Sequence, residues 1–360
     1  MAETPDISDY SLSTKGKQEG ITAPVFPYMP VVSDPTRYKI GLIGCGGISE
    51  AHLSSYQKAG FCVVALCDKI RDRALKRQQQ FYPEAQVFTD FHQLLDSPEV
   101  DIVDIATHPS DRVEIILEAL RKDKHVLSQK PFVEDLEIGS DFVALAASRG
   151  LKLAVNQNGR WAPHLCYIRN AVRSGILGDI FSIHIAVHWD HTWTVGTPFE
   201  EIDDLILYDF AIHWFDFVSS LLGDRKITRV DATRTHAVGQ TARPALLAQC
   251  TVNFEGGQAS LVFDGNVRDT SYDSTFVAGT LGSIRSSGPN LNEQSIILST
   301  AEGISQPPLS GQWFNDGFQG TMSELMHAIE TDTEPINNAR ENLRSLSLCF
   351  AAIKSAHMNV

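Results

Sequence analysis

The chain has 360 residues, 43% apolar and 21% charged, the composition of a globular protein with room for two cores. Its formal net charge of −14 leaves no basic surface to neutralise nucleic-acid phosphates or an anionic membrane, so neither partner is expected. No run approaches the roughly 20 apolar residues of a membrane helix. Met1–Gly20 has no apolar signal-peptide core, and the six cysteines show no paired spacing. A cytoplasmic protein with reduced, mostly buried thiols is the resulting expectation.

Residues 1–37 carry no periodic pattern. Pro24, Pro27, Pro30 and Pro35 punctuate them, which predicts an extended arm rather than a helix. Phe26, Tyr28 and Met29 would be wet in a free arm, so it is expected to lie on its own subunit or a neighbour. If the protein is an oligomer, residues 21–32 are expected on the neighbour.

From Tyr38 strand-like and helical runs alternate. Strands are predicted at 39–43, 62–66, 102–106, 125–127 and 151–155, and helices at 48–59, 71–80, 91–95, 112–120 and 137–148. Short apolar strands separated by amphipathic helices read as a parallel sheet covered on both faces, a doubly wound dinucleotide-binding (Rossmann) domain over 38–159. Beyond residue 160 the texture changes. Strand-like runs at 180–190, 227–236, 245–254, 258–263 and 275–278 predict one open, mainly antiparallel sheet. With helices at 209–222 and 322–329 it makes an α+β domain over 160–335, for substrate binding and oligomerisation. A last helix, 341–357 within the segment 336–360, is expected to pack back towards the first domain.

Gly44-Cys45-Gly46-Gly47-Ile48-Ser49 follows the first strand and opens a helix. The first glycine permits the tight turn, the second lets backbone approach a pyrophosphate, and the helix N-terminus favours its charge. Asp68 ends the second strand about 20 residues on, where a carboxylate can hydrogen-bond the adenosine ribose and repel a 2′-phosphate. NAD is therefore favoured over NADP, although Lys69 and Arg71 follow directly. A helix-capping role for Asp68 is the competing reading.

His125-Val126-Leu127-Ser128-Gln129-Lys130-Pro131 delivers a lysine and a proline at a strand end. Further on, Asp209 and His213 stand four residues apart, on one face of the predicted helix. Alone, such a pair more often steadies a helix. Together with Gly44–Ser49, Asp68 and Gln129-Lys130-Pro131, it makes the chain resemble the family of glucose–fructose oxidoreductase and inositol dehydrogenase, over roughly residues 38–357.

The resemblance implies that Lys130, Asp209 and His213 form the catalytic group. The dinucleotide is expected against Gly44, Gly46, Gly47, Ile48, Asp68, Thr107, His108, Gln129, Lys130 and Asn158. Three departures stand out: Gln129 replaces the usual glutamate, Leu205–Tyr208 replaces paired glycines, and Arg112 occupies a position where relatives often carry histidine. The residues suit oxidation of a secondary alcohol. His213 has the unperturbed pKa to take a proton near neutrality, Asp209 to orient its ring, and Lys130 to stabilise charge on the substrate oxygen. The first and last of these roles are exchangeable on sequence grounds.

Arg160 and Trp161 follow the polar run Asn156-Gln157-Asn158 and are expected to meet nicotinamide or substrate. His188 and Asp190 are expected on the substrate wall, with Trp161, Trp189 and Trp193 as surfaces for a sugar ring. His188, Asp190, His191 and His213 are metal-ligand types, but no metal spacing is present and none is expected. The function read from the sequence is NAD-dependent hydride transfer at a ring hydroxyl of a sugar, cyclitol or glycoside, with 3-position oxidation of a glucoside one version, in a dimer or dimer of dimers. The alternatives are an NAD-assisted glycoside-cleaving enzyme and a catalytically silent NAD-binding regulator.

Overall fold

The computed structural model describes residues 19–358. The expected residues of the arm before Glu19 lie outside that range.

Six short strands form a parallel sheet: β1 (Lys39–Ile43), β2 (Cys62–Cys67), β3 (Gln86–Phe88), β4 (Ile102–Ile105), β5 (His125–Gln129) and β6 (Leu153–Asn156), in the order β3-β2-β1-β4-β5-β6. The reversal of strand order beside β1 is the switch point of a doubly wound sheet, where a crevice opens at the strand ends. Helices α1 (Ser49–Ala59), α2 (Arg71–Phe81), α3 (Phe91–Leu95), α4 (Pro109–Arg121) and α5 (Leu136–Ser148) supply the crossovers. β4 is buried along its whole length and β1, β2 and β5 nearly so, because both faces are covered.

The chain then runs through a 3₁₀ turn at Asn158–Trp161 into α6 (Pro163–Arg173) and a second sheet. Its strands are β7 (Ile180–His188), β8 (Ile227–Thr235), β9 (Leu247–Phe254), β10 (Gly257–Asp264), β11 (Tyr272–Gly279), β12 (Gly282–Gly288), β13 (Ser295–Thr300) and β14 (Gly303–Ser305). Their order is β14-β13-β12-β11-β7-β10-β9-β8, with only β7 and β10 parallel. On β7, Ile183, Ile185 and Val187 point to the core, while His184 and His188 face outward. α7 (Ile212–Leu222), α8 (Trp313–Thr331) and α9 (Ala339–Met358) complete the molecule. α9 packs on α7 and β8, and Leu343 also presses on Gly139 of α5, so this helix touches both sheet units.

Both sheets follow the sequence pattern, with β3 and α6 added to the predicted elements and three larger differences. Strands β12 to β14 occupy a serine- and glycine-rich stretch whose inward residues, Ile284, Ile296 and Leu298, are too sparse to mark alternation. α8 begins at Trp313 rather than Met322. Gly317 and Gly320 blur its periodicity, yet both are close approaches: a Cβ on Gly320 would stand 2.3 Å from the Trp161 ring. Asp209 lies in a π-helical turn, Ile206–Phe210, closed by Ala211 N–H donating to Ile206 O at 2.9 Å, and the regular helix starts only at Ile212.

The described part of the arm lies on its own subunit. Ile21 N–H donates to Ile304 O, and Ile304 N–H to Glu19 O, which extends the sheet beyond β14. Tyr167 Oη donates to Pro24 O, Asn170 Nδ2 to Pro27 O, and Tyr28 Oη to Trp161 O. Phe26 packs edge-on against Tyr167. The arm thus buries its aromatics in cis, because α6 offers a ready row of donors.

Candidate active site

The ends of β1, β2, β4 and β5 open into a cleft of about 880 Å³. Its walls include Gly44, Gly46, Gly47, Ile48, Asp68, Thr107, His108, Gln129, Lys130 and Asp209. Gly44 has φ +100°, and a Cβ there would stand 2.8 Å from the Ala106 carbonyl carbon, so only glycine makes this turn. A Cβ on Gly46 or Gly47 would meet nothing within 4 Å, which leaves that side of the turn open to a phosphate. The Asp68 carboxylate accepts from Cys45 N–H and Ile70 N–H, both at 2.8 Å, and is fixed beside the turn. Lys69 pairs with Asp111 at 3.1 Å. Arg73, rather than Arg71, reaches the wall. These features fit a dinucleotide.

At the far end of the cleft Lys130 donates to Asp209 O at 2.8 Å and to Asp209 Oδ1 at 3.2 Å. The turn carrying Lys130 has a cis bond to Pro131. The Arg112 guanidinium, buried under it, donates to the carbonyls of Thr107, Gln129 and Pro131. Burial holds this guanidinium down at about 10.

His213 packs edge-on against Trp313, with ring centroids 5.2 Å apart, and its Nδ1 is buried without a hydrogen-bond partner. Burial first, then the Lys130 ammonium, pushes the imidazole well below its usual 6.5. The expectation of a His213 that titrates near neutrality is therefore corrected: in this environment the ring is neutral across that range.

The structure does not bring the remaining expected residues to the cleft. Arg160 is buried and forked onto Asp216, Nε to Oδ2 at 2.6 Å and Nη2 to Oδ1 at 2.8 Å, with Nη1 on Ile336 O. Trp161 is buried beneath Gly320 and the Arg169 guanidinium. The Asn158 Oδ1 accepts from Trp313 Nε1 at 2.9 Å, inside the core. His188 faces the outer side of the sheet, where Nδ1 meets Asp264 Oδ2 at 2.7 Å. Asp190 caps its own turn by accepting from Thr192. Apart from Asp190, each is held by a partner distant in the sequence, something strand or turn position alone does not disclose.

One residue was weighed in the sequence only as a metal ligand. His191 is buried beside Phe210, its ring 3.8 Å away, and its Nδ1 accepts from Trp193 Nε1 at 3.1 Å. Burial lowers it to about 4, against the opposing pull of Asp209 and Asp190. Trp193 itself is 56% exposed and packs edge-on with Phe199, which lines the cleft. Trp189, by contrast, is packed among Phe210 and Trp214. Among the described residues no group of three or more His, Cys, Asp or Glu is arranged to hold a metal.

A parallel doubly wound sheet with a glycine turn and strand-end acid, joined to a large open sheet, defines a two-domain NAD-binding oxidoreductase. Residues 38–157 match the model of an oxidoreductase family with an NAD-binding Rossmann fold, and residues 166–285 that of the GFO/IDH/MocA C-terminal domain. The chain belongs to this family of glucose–fructose oxidoreductase and inositol dehydrogenase. It is 27% identical to a D-apiose dehydrogenase of Paraburkholderia graminis, over 89% of this chain and 88% of the relative. It is 24% identical to an inositol 2-dehydrogenase of Rhizobium meliloti, over 88% and 96%. An oxidoreductase from Agrobacterium radiobacter, solved with NAD+, L-tartaric acid and magnesium, shares the fold with a TM-score of 0.80 at 20% identity, covering 90% of this chain and 98% of that one.

Proposed function

We propose that the protein uses NAD to oxidise a secondary ring hydroxyl of a sugar, cyclitol or glycoside, with Lys130, Asp209 and His213 as the catalytic group. The observation that carries this reading is the Lys130 ammonium, held on Asp209 at the inner end of the cleft, where its charge also reaches the His213 ring, which stands behind the lining. The apiose and inositol dehydrogenases among the relatives support a polyol-like substrate.

When bound, the dinucleotide supplies a nicotinamide that takes the C–H electron pair as hydride. Gly44, Gly46, Gly47 and Ile48 would hold its pyrophosphate and Asp68 its ribose, while Thr107, His108 and Gln129 line the remaining wall. Lys130 faces the substrate oxygen and offsets the charge that develops as its proton leaves. The neutral His213 imidazole has a lone pair for that proton. Asp209 fixes the lysine. Trp193 is assigned to the substrate wall, being the one of the three expected sugar-stacking tryptophans left half open. Oxidation at the 3-position of a glucoside is the finer version of this reading.

The outward face of the second sheet carries Tyr272 and Phe276, 50% and 37% exposed, and supports pairing with a second copy as a dimer or dimer of dimers. All six cysteines are free thiols, which supports the cytoplasm as the working compartment.

A panel of sugars, cyclitols and glycosides tests the activity by NAD reduction. NADH accumulating with a polyol or sugar is the expected result. Glycoside cleavage without net NADH would replace the reading with NAD-assisted cleavage, and silence across the panel despite tight NAD binding would replace it with a regulator.

A further inference from the structure

Beneath the turn that carries Lys130 lies a closed chain of buried polar groups. Gln129 Oε1 accepts from Lys130 N–H at 2.7 Å, so the amide nitrogen of Gln129 is directed at His52 Nε2, 3.0 Å away. Asn156 Nδ2 also stands 3.2 Å from His52 Nε2, with its Oδ1 3.0 Å from Thr321 Oγ1, a hydroxyl that donates either there or to Phe318 O at 2.9 Å. The Gln129 N–H donated to Nε2 leaves that ring nitrogen no hydrogen of its own. The ring proton is therefore on Nδ1 and is donated to Asp104 Oδ2 at 2.7 Å, an oxygen that also accepts from Tyr56 Oη at 2.7 Å. His52, Asp104 and Asn156 are 0% exposed and Gln129 is 5% exposed. The chain spans the adjacent strands β4, β5 and β6 and contains one carboxylate.

We infer that Asp104, His52 and Gln129 are a positioning unit for Lys130, and that the unit tolerates only one carboxylate along its length. The inference rests on the catalytic reading of Lys130. A carboxylate at position 129 would still accept from Lys130 N–H but would offer no hydrogen to His52 Nε2. Two acceptors would then face each other without water. The clash is relieved only if the unit takes up one more proton, either on the ring, which then stands between two carboxylates, or on the new carboxyl, which then donates to Nε2. The carboxylate is free to sit at either end. In D104N/Q129E the ring reverses its tautomer, donates from Nε2 to the carboxylate now at position 129 and accepts at Nδ1 from the amide now at position 104. Asn156 turns its amide so that Oδ1 also accepts from Nε2, with Thr321 Oγ1 donating to Phe318 O, and Tyr56 Oη alone loses its carboxylate acceptor.

The test uses the full chain as wild type, Q129E, D104N and the double variant D104N/Q129E, without substrate. Melting temperature is followed from about pH 6 to about pH 8, on either side of a free imidazole's titration. The Lys130 amine is followed by NMR after reductive methylation with ¹³C-formaldehyde, its resonance assigned with K130R. In Q129E the folded unit holds a proton that the unfolded chain loses, so stability is kept on the acid side and lost as pH rises. Q129E is expected to melt several degrees below wild type at about pH 8, to converge on it at about pH 6, and to shift the Lys130 resonance. D104N/Q129E is expected to recover the Lys130 resonance and the flat pH dependence, melting between Q129E and wild type at about pH 8 because Tyr56 Oη has lost its carboxylate, and D104N alone to stay near wild type. A Q129E variant that matches wild type in both overturns the proposal, as does a double variant no better than Q129E. Should Q129E not fold, the double variant decides alone. Neither readout needs turnover, so an absence of sugar oxidation leaves this test standing.

Discussion

His52, Asp104, Gln129 and Asn156 beneath the cleft are as deeply buried as Asp273, Thr275 and Ser286 in the second sheet, yet the two groups live under opposite terms. In the first, all but Asp104 Oδ1 of the side-chain N and O atoms have partners. In the second, the side-chain oxygens of Asp273, Thr275 and Ser286 have none among the described residues. Desolvation costs about 1–3 kcal/mol for each polar group left unmatched. The matched group therefore acts as a rigid mount, while the unmatched one is a stability cost. Burial pushes the Asp273 carboxyl up to about 8, so at neutrality it keeps its proton.

The comparison is broken most directly at Lys130, the residue the mount serves. Lys130→Ala is expected to cut turnover by about 10²–10⁴-fold while leaving melting temperature and NAD affinity nearly unchanged. His213→Ala should cost turnover in the same range, and the neutral-range pH profile of the wild type should show no limb that vanishes in that variant. A wild-type limb near pH 7 that does vanish would restore His213 as a group titrating there. Below about 6.5 the buried His213, His164 (about 3) and His191 (about 4) stay neutral while their unfolded counterparts charge, so stability should fall as pH drops.

Arg160 and Asp216 sharpen the same contrast. Their forked pair is buried and matched, with Ser345 Oγ also donating to Asp216 Oδ1 at 2.9 Å. Asp216→Ala strands a buried guanidinium and should cost about 3–5 kcal/mol of stability. Measured by denaturant unfolding, a loss under about 1 kcal/mol would mean that the pair is not closed in solution.

Such pairings explain what the sequence could and could not disclose. Gly44, Asp68 and Lys130 sit at strand ends, where main-chain direction alone aims them into the crevice, and their places were legible from local pattern. Arg160, Trp161, Asn158, His188 and Asp190 stand outside the cleft lining because their partners, Asp216, Gly320, Trp313, Asp264 and Thr192, are set mostly by tertiary contacts. The π turn that carries Asp209 leaves no composition signal. The Gln129 and Arg112 departures were legible as letters, but only the fold shows that both grip the same turn.

On the cofactor wall the expected effect is smaller. Asp68→Ala should weaken NAD binding by roughly tenfold, about 1.4 kcal/mol, and narrow the preference against NADP, measured as the two dissociation constants by fluorescence titration. Tighter binding of NADP than NAD by the wild type would overturn the assignment of Asp68.

The unmatched group is read across pH rather than at one pH. The unfolded Asp273 carboxyl ionises near 3.8 and the folded one at about 8, so between these values the folded state holds a proton that the unfolded state has released. Stability linked to this residue is therefore greatest on the acid side and falls as pH rises towards 8. Asp273→Asn keeps the size and removes the ionisation. It should lie nearest wild type at about pH 5 and gain on the order of 3–4 kcal/mol by about pH 8, since each pH unit crossed between the two values shifts stability by about 1.4 kcal/mol. Because the other titrating groups act equally in both proteins, the readout is the difference between the two melting curves across pH. A constant difference would mean that Asp273 has found a partner in solution and belongs with the matched group beneath the cleft.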